Sequence, residues 1–271
     1  MRRGGNDMGV WKKGIVAISI VLIVYPLVIL LMYSVSEHWM FPSLLPSEYD
    51  FDNYRMLFET YKMGKIIKNS VIVSLAVMLV SIVMGLLPSK LLGTRKFRGK
   101  TAAQVVMMMP IMAPSIVIMF GLINVFVKLG INRTYLSLVI AEVIFFIPYA
   151  IMVLVPVFKN YDVGVEDQAA TLGIGKLSTL MNITLPSVRT GLAVSAMYVF
   201  MASWATYLAV SMYAPAGFDT VASILYPAIN NGQYKEDLLA SLTLLFFAPS
   251  LIFLFISTWI MGTDKVNNRG V

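Results

Sequence analysis

The sequence contains no cysteine, a single histidine and few charged residues, which make up 13% of its 271 positions. The absence of cysteine excludes disulfides, thiolate metal sites and cysteine nucleophiles. Soluble domains carry about 25% charged residues, whereas 58% of the residues here are hydrophobic. This composition excludes an ordinary soluble protein and predicts an integral membrane protein.

Motifs for catalysis and nucleotide binding are also missing. The chain has no G-x-S-x-G or H-E-x-x-H sequence, and its histidine, His38, falls in a segment predicted to lie outside the membrane. The stretch GTRKFRGKT resembles a phosphate-binding loop, but Gly93 and Gly99 are one residue too far apart. It would also join two helices, whereas a phosphate-binding loop follows a strand. We therefore predict no catalytic residue, metal site or nucleotide site in this chain.

Long apolar stretches dominate the rest of the chain. A helix needs about 20 apolar residues to cross a ~30 Å hydrocarbon core, and six stretches meet this requirement: Ile15–Met32, Val71–Leu87, Ala103–Val127, Tyr135–Val157, Leu192–Val210 and Leu238–Met261. The first follows basic residues, as a signal peptide would, but no Ala-x-Ala-like cleavage site follows it, so we expect a retained span. The prediction is an all-α membrane protein with a six-span bundle over residues 15–261, an N-terminal segment at 1–14 and a tail at 262–271.

The distribution of charge predicts the orientation. With six spans, both termini and the loops at 88–101 and 158–189 share one side, which carries 14 lysines and arginines against 5 acids. The opposite side carries 7 basic residues against 8 acids. The positive-inside rule places the more basic side, including both termini, in the cytoplasm. The net charge of +7 is then explained by topology next to membrane lipid, and no nucleic acid partner is predicted.

Several local features refine the predicted helices. Pro110 and Pro114 in the third span and Pro148 in the fourth remove helix hydrogen bonds. These spans should therefore be kinked and should face the bundle interior. Asn69–Ser70 is a candidate N-cap for the second span, and residues 51–61 form a candidate amphipathic surface helix before it.

Polar residues inside the spans are candidates for a translocation path. Glu142 is the one ionisable residue well inside a predicted span. Its charge would cost about 2.5–3.5 kcal/mol on insertion scales, so it should face a partner or a watered cavity, or remain protonated. It either lines the path and contacts a cationic solute or hydrogen-bonds a neighbouring helix. In the fifth span Ser203, Thr206 and Tyr207 share a helical face beside Trp204, and this stripe either lines the path or packs against another subunit.

The stretch EDQAATLGIGKLSTLMNITLP, residues 166–186, is neither a span nor plainly a loop. The segment from Val165 to Leu172 favours a helix with acids at its N-terminus, and the glycines at 173 and 175 then break it. A second amphipathic helix should run from Lys176 to Pro186 with apolar residues at helical spacing, namely Leu177, Leu180, Met181 and Leu185. We predict two helices joined by a glycine elbow at the cytoplasmic surface.

This stretch resembles the cytoplasmic loop of permease subunits of type I ATP-binding-cassette (ABC) importers, whose pattern is E-A-A-x-x-x-G, about a dozen residues, then L-P. Matching residues are Ala169, Leu172, Gly173, Leu185 and Pro186, whereas Asp167 stands for the glutamate and Gln168 for the first alanine. The order D-N-Y, N-S, F-R-G-K, M-x-P-x-x-x-P, P-Y and S-W-x-x-Y along the chain is similar to the spermidine/putrescine branch of that family.

The resemblance implies a MetI-like helical bundle in a bacterial inner membrane. It also implies a second permease subunit, a sister chain rather than a copy, two ABC ATPase subunits and an extracytoplasmic solute-binding protein. ATP and Mg²⁺ would be bound by the ATPase, so this chain would hold no cofactor and would not be an enzyme. The loop at 158–189 would be the coupling helix, and its contacts with the ATPase would be made by Glu166, Asp167, Gln168, Ala169, Ala170, Leu172, Gly173, Leu185 and Pro186.

The solute and two other protein classes stay open. The resemblance predicts import of a polyamine or similar cation, whereas relatives of this branch handle thiamine, ferric iron or phosphonates. A self-sufficient secondary transporter would need internal repeats and several charged or broken spans. If the chain were instead a structural membrane protein, its match to the permease motif would be accidental.

Overall fold

The computed structural model describes residues 10–37, 39, 43, 45–46, 48–232 and 234–267. Its helices are α1 (Val10–Ser34), α2 (Asp52–Glu59), α3 (Met63–Thr94), α4 (Lys100–Met112), α5 (Ser115–Lys128), α6 (Tyr135–Lys159), α7 (Gly164–Thr171), α8 (Lys176–Thr179), α9 (Leu185–Ser187), α10 (Arg189–Trp204), α11 (Leu208–Tyr213), α12 (Val221–Asn231) and α13 (Glu236–Asn267). Two-residue strands, β1 (Ser36–Glu37) and β2 (Glu48–Tyr49), pair antiparallel. His38, residues 1–9 of the predicted N-terminal segment and residues 268–271 of the predicted tail lie outside the described residues.

The helices agree with an all-α membrane protein. In the described part of the chain, four helices are long and apolar enough to cross a membrane, and up to six spans exist if each of two bent helix pairs is one span. The four are α1, α3, α6 and α13, at the predicted first, second, fourth and sixth spans. The bent pairs are α4 with α5, at 95°, and the helical segment 176–187 with α10, at 78°. Among the four long helices, the outer bounds differ most at the second span, predicted at Val71–Leu87, because α3 runs from Met63 to Thr94. The third and fifth spans differ instead by containing a break.

Prolines have different effects in the third and fourth spans. Ala113, which precedes Pro114, has extended backbone angles (φ −86°, ψ 147°), because a following proline ring crowds the helical conformation. The predicted kink is thus a complete break between α4 and α5. Pro148 lies within α6, which continues to Lys159, so that proline does not end its helix.

One compact unit comprises residues 64–226 and the described residues from Ala248 onward. Its core joins α3, α5, α6, α10 and α11, and fully buried members include Val77, Leu138, Val199 and Tyr213. Buried side chains recur along α6 from Ser137 to Phe158, which makes it the central helix of this unit. Helices in lipid associate largely through close packing at small residues, and Gly85 and Gly93 of α3 and Gly191 of α10 provide such contacts with α6.

The other compact unit comprises the described residues from Val10 to Met63 together with those of the range 227–247. The predicted amphipathic helix is α2, which buries Leu57 while Phe58 is 47% exposed. The Ser241 hydroxyl donates to the carbonyl of Ser34 at 2.9 Å, so α13 is tied to the end of α1. Apolar side chains of α1 from Trp11 to Val28 are exposed, as expected of a span that faces lipid or another subunit.

The N-cap prediction for the second span is wrong. The helix α3 already begins at Met63, because the residues before Asn69 are compatible with a helix and nothing stops it there. The Ser70 hydroxyl instead accepts a hydrogen bond from the amide of Val221 at 2.8 Å, and the Asn69 side chain donates to the carbonyl of Asp219 at 3.1 Å. These two residues of α3 therefore hold the start of α12 and the residues just before it in place.

Candidate coupling loop and translocation cavity

The predicted helix and glycine elbow are present. Helix α7 carries both acids in its first turn, and it is followed by Gly173 with a φ of +78°. The Gly173 amide donates to the carbonyl of Ala170 and the Ile174 amide to that of Ala169, each at 3.0 Å. This pair of bonds is a Schellman motif, which needs a left-handed residue that glycine adopts without strain. One residue therefore fixes the direction in which the chain leaves α7.

The return arm after the elbow is helical but irregular. It consists of α8, a π-helical turn at Leu180–Thr184 and α9, and it then bends into α10. Pro186 lacks an amide hydrogen, and its ring crowds the carbonyl four residues earlier, at Asn182. Because Asn182 lies inside the π-helical turn, the proline explains why the predicted regular helix is distorted there. Such turns recur at functional sites.

Apolar side chains on this loop point away from the protein's own core. Leu172 is 79% exposed, Leu177 74% and Met181 56%, whereas Thr179 and Thr184 are buried. The loop thus buries two threonines and exposes large apolar side chains, the reverse of a helix that covers its own domain. An exposed apolar patch of this kind marks a contact with protein or membrane.

The residues expected to contact an ATPase differ in exposure. Exposed members are Asp167, Gln168, Ala170, Leu172, Gly173 and Pro186. Ala169 is 3% exposed and packs inward, and Glu166 and Leu185 are half-buried. The exposed members are free to meet a partner, whereas Ala169 supports the loop from within.

Glu166 is held by other parts of the chain. Its two carboxylate oxygens accept from Lys90 Nζ at 2.7 and 2.6 Å, and Oε1 also accepts from the Thr184 hydroxyl at 2.6 Å. Burial raises the pKa of Glu166, but the hydrogen bonds from Lys90 and Thr184 outweigh it, and the net pKa is lower than the ordinary glutamate value. The carboxylate is therefore ionised at neutral pH.

A cavity of about 330 Å³ lies beside α6. Glu142 is 1% exposed, and its Oε2 accepts a hydrogen bond from the Ser203 hydroxyl of α10. Its Oε1 has no hydrogen-bond partner among the described residues. A buried carboxylate oxygen without a partner is costly, so this site favours a ligand that donates hydrogen bonds. The lining residues are Ser115, Met119, Glu142, Phe145, Phe146, Tyr149, Thr206, Tyr207, Leu208 and Tyr226.

The predicted path residues are only partly brought together. Glu142, Thr206 and Tyr207 line the cavity, and Ser203 reaches it through its hydrogen bond to Glu142. Trp204 is 2% exposed and stacks on Phe200 with a centroid distance of 6.2 Å, so it is a packing residue that does not line the cavity. Glu142 hydrogen-bonds a neighbouring helix, as one interpretation expects, and it also lines a cavity, whereas its contact with a cationic solute stays a prediction.

The predicted fifth span is not a single helix. Helix α10 ends at Trp204 and α11 begins at Leu208, so the prediction that Ser203, Thr206 and Tyr207 share one helical face is wrong. The break has no local signal, because neither glycine nor proline is present there. Non-helical backbone at membrane depth is tolerated where it lines a cavity, and Thr206 and Tyr207 do so.

Two tyrosines of the cavity wall are not among the predicted path residues. Tyr226 stacks on Tyr207 with a centroid distance of 5.4 Å, but it falls in a segment predicted to lie outside the membrane. Tyr149 packs against Phe146 at 5.7 Å and Tyr198 at 5.5 Å. Its only signal in the sequence is the Pro-Tyr pair at 148–149, one of the motifs that carry the resemblance.

Comparisons with known proteins agree with this architecture. Residues 78–271 match the family described as binding-protein-dependent transport system inner membrane component. The trehalose transport system permease protein SugB of Mycobacterium tuberculosis is 24% identical over 216 residues, which is 79% of each chain. The spermidine/putrescine transport system permease protein PotC of Shigella flexneri is 23% identical over 175 residues, which is 65% of each chain.

A solved structure shares the fold. It is a bacterial ABC transporter involved in the import of the acidic polysaccharide alginate, with a TM-score of 0.78 and 15% identity, covering 95% of this chain and 98% of that chain. Since the family match also extends over more than half of the chain, the protein belongs to the binding-protein-dependent inner membrane transport components, the multi-pass permease subunits of ABC importers.

Proposed function

We propose that this chain forms half of the membrane pathway of an ATP-driven importer for a small solute. A sister permease forms the other half, two ATPase subunits bind ATP and Mg²⁺, and an extracytoplasmic binding protein delivers the solute. Both termini lie in the cytoplasm, consistent with the excess of basic residues on that side. Family membership supports the transport role, and the chain works as a transport component while the ATPase performs the hydrolysis.

The coupling loop is the observation that carries this proposal. Its elbow has a fixed angle, and Leu172, Leu177 and Met181 form an exposed apolar face that a cleft in the ATPase would bury. Affinity purification of this chain from cells that co-express the ATPase should retain the ATPase. Its absence from every such preparation, or uptake that continues without ATP, would favour the secondary-transporter class instead.

The cavity supports a cationic solute such as a polyamine. Glu142 offers a carboxylate oxygen without a partner among the described residues, and the aromatic rings of Tyr149, Tyr207 and Tyr226 line the same cavity. Ammonium groups are attracted both by a carboxylate and by aromatic faces. Among the described residues, no lysine or arginine lines this cavity, so nothing there repels a cation.

A sugar is the second candidate. The relative SugB is described as a trehalose permease, and tyrosine faces with a carboxylate acceptor also suit a ligand rich in hydroxyl groups. Thiamine carries a positive charge and would fit the cavity by the same argument as a polyamine. A phosphonate fits poorly, because Glu142 would repel its negative charge.

The variant Glu142→Gln separates these candidates. A charge-assisted hydrogen bond contributes about 1.5–3 kcal/mol, so uptake of a cation at low concentration should fall roughly tenfold or more. Uptake of a neutral sugar should fall much less, because glutamine still accepts hydrogen bonds. The measurement is uptake of radiolabelled spermidine, and of radiolabelled trehalose, by cells that express the complete importer.

The matched control is Glu59→Gln, which removes a carboxylate with 66% side-chain exposure outside the cavity. It should transport as the parent does. If Glu142→Gln imports spermidine at the parent rate while its ATPase remains bound, the proposed role of Glu142 in cation transport is wrong. A transporter that imports trehalose and not spermidine would support the sugar candidate.

A further inference from the structure

Glu166 does not point outward from the coupling loop as its neighbour does. Its side chain is 17% exposed, and the lysine that it contacts, Lys90, is 25% exposed. Asp167, the next residue, is exposed. Two adjacent acids of α7 therefore face different surroundings, and only Asp167 is free to contact another subunit.

The partners of Glu166 come from two separate parts of the chain. Lys90 lies 76 residues earlier, on α3 four residues before its end, and Thr184 lies at the end of the π-helical turn in the return arm. Thr184 is fully buried, and the Tyr161 hydroxyl lies 3.5 Å from its Oγ1. A single carboxylate thus joins α3, α7 and the return arm.

We propose that Glu166, Lys90 and Thr184 form a polar clamp that transmits movement of the coupling loop to the second and fifth spans. The proposal rests on the loop docking to an ATPase, as inferred above. The Schellman hydrogen bonds join α7 only to the start of the return arm, so force applied to the outer face of α7 needs another connection to reach α3. With the clamp closed, α3 and the return arm must move together with α7.

The helices at each end of the clamp lead to the cavity. The end of α3 packs against the end of α6 where Gly93 meets Phe158, and α6 carries Glu142. The return arm continues into α10, which carries Ser203, the hydrogen-bond partner of Glu142. The clamp therefore links the docking surface to both helices that position this carboxylate, and Glu166 is a positioning residue without contact to solute or ATP.

Glu166→Gln should separate docking from transmission. The amide keeps the shape of the side chain but loses its ion pair with Lys90. We expect the purified complex to retain the ATPase at the parent level, while stimulation of ATP hydrolysis by the binding protein falls roughly tenfold, a typical coupling between sites. Asp167→Asn should instead reduce ATPase retention, and Lys96→Met, which removes an exposed lysine, should change neither.

A distance measurement tests the mechanism without knowledge of the solute. The chain contains no cysteine, so Thr171→Cys at the end of α7 and Arg95→Cys just after α3 can carry the only spin labels on it. In the complex, ATP with vanadate should leave the distance between these labels unchanged in the parent. In Glu166→Gln the distance should shift and its distribution broaden, because α7 then moves without α3.

The exchange Lys90→Glu with Glu166→Lys provides the rescue. Restored stimulation and an unchanged label distance in the double variant support the clamp, because the ion pair is rebuilt with its charges reversed. The clamp is rejected if Glu166→Gln behaves as the parent does, if it loses the ATPase as Asp167→Asn does, or if the exchange is no better than its single variants. Absence of the ATPase from the parent complex would reject the docking role itself, which distinguishes the two failures.

Discussion

The variant Gly173→Val is expected to release the ATPase and to abolish ATP-driven uptake. Gly173 has a φ of +78°, a conformation that costs an ordinary residue about 1–2 kcal/mol and is a genuine outlier for a β-branched one. Valine would therefore open the two Schellman hydrogen bonds and let the chain leave α7 in another direction. Leu172 and Leu177, on either side of the elbow, would then no longer present one surface.

Retention of the ATPase on affinity-purified permease measures this effect, together with stimulation of ATP hydrolysis by the binding protein. Gly175→Ala is the matched control, because Gly175 has a φ of −67° and open space where a Cβ would lie. Gly173→Asn should be intermediate, since asparagine tolerates the left-handed region. Full retention and stimulation in Gly173→Val would contradict the assignment of this segment as the coupling helix.

The shape of the coupling loop could be predicted from the sequence because residues adjacent in the chain determine it. Glycine at the point where an apolar helical pattern stops predicts a left-handed C-cap, and Gly173 has that conformation. The clamp could not be predicted from the sequence, because Glu166 contacts Lys90 only once α3 and α7 have packed together. The resemblance implies that Glu166 contacts an ATPase, whereas both of its oxygens have partners within the chain.

The cavity also has features that the sequence predicts and features that it does not. Glu142 stood out because a carboxylate inside an apolar span has few acceptable surroundings. The end of α10 at Trp204 could not be predicted, because residues 205–207 are compatible with a helix and tertiary packing decides their conformation. Tyr226 gave no signal, since its place in the wall depends on how α12 folds back beside Tyr207.

Gly93→Val is expected to destabilise the permease more than any other single glycine substitution in α3. A Cβ built on Gly93 would overlap the Cβ of Phe158 and lie 2.9 Å from the Phe158 carbonyl carbon and 3.1 Å from the Lys159 amide nitrogen. Overpacking costs about 1–3 kcal/mol and occasionally more, and backbone atoms cannot rotate away as a side chain can. The end of α3 must therefore move away from α6, which lowers the midpoint of thermal unfolding in detergent.

Two alanine variants provide comparisons for the unfolding midpoint of Gly93→Val. At Gly191 an added Cβ would lie 2.5 Å from Val157 Cγ2, the end of a side chain that can shift, so Gly191→Ala should lower the midpoint less. At Gly64 the space is open, and Gly64→Ala should leave the midpoint unchanged or raise it, because alanine favours a helix by up to about 1 kcal/mol over glycine. If Gly93→Val unfolds at the parent temperature, α3 and α6 do not meet at Phe158. The clamp would then lose its route to Glu142 through α6 and would reach the cavity only through α10.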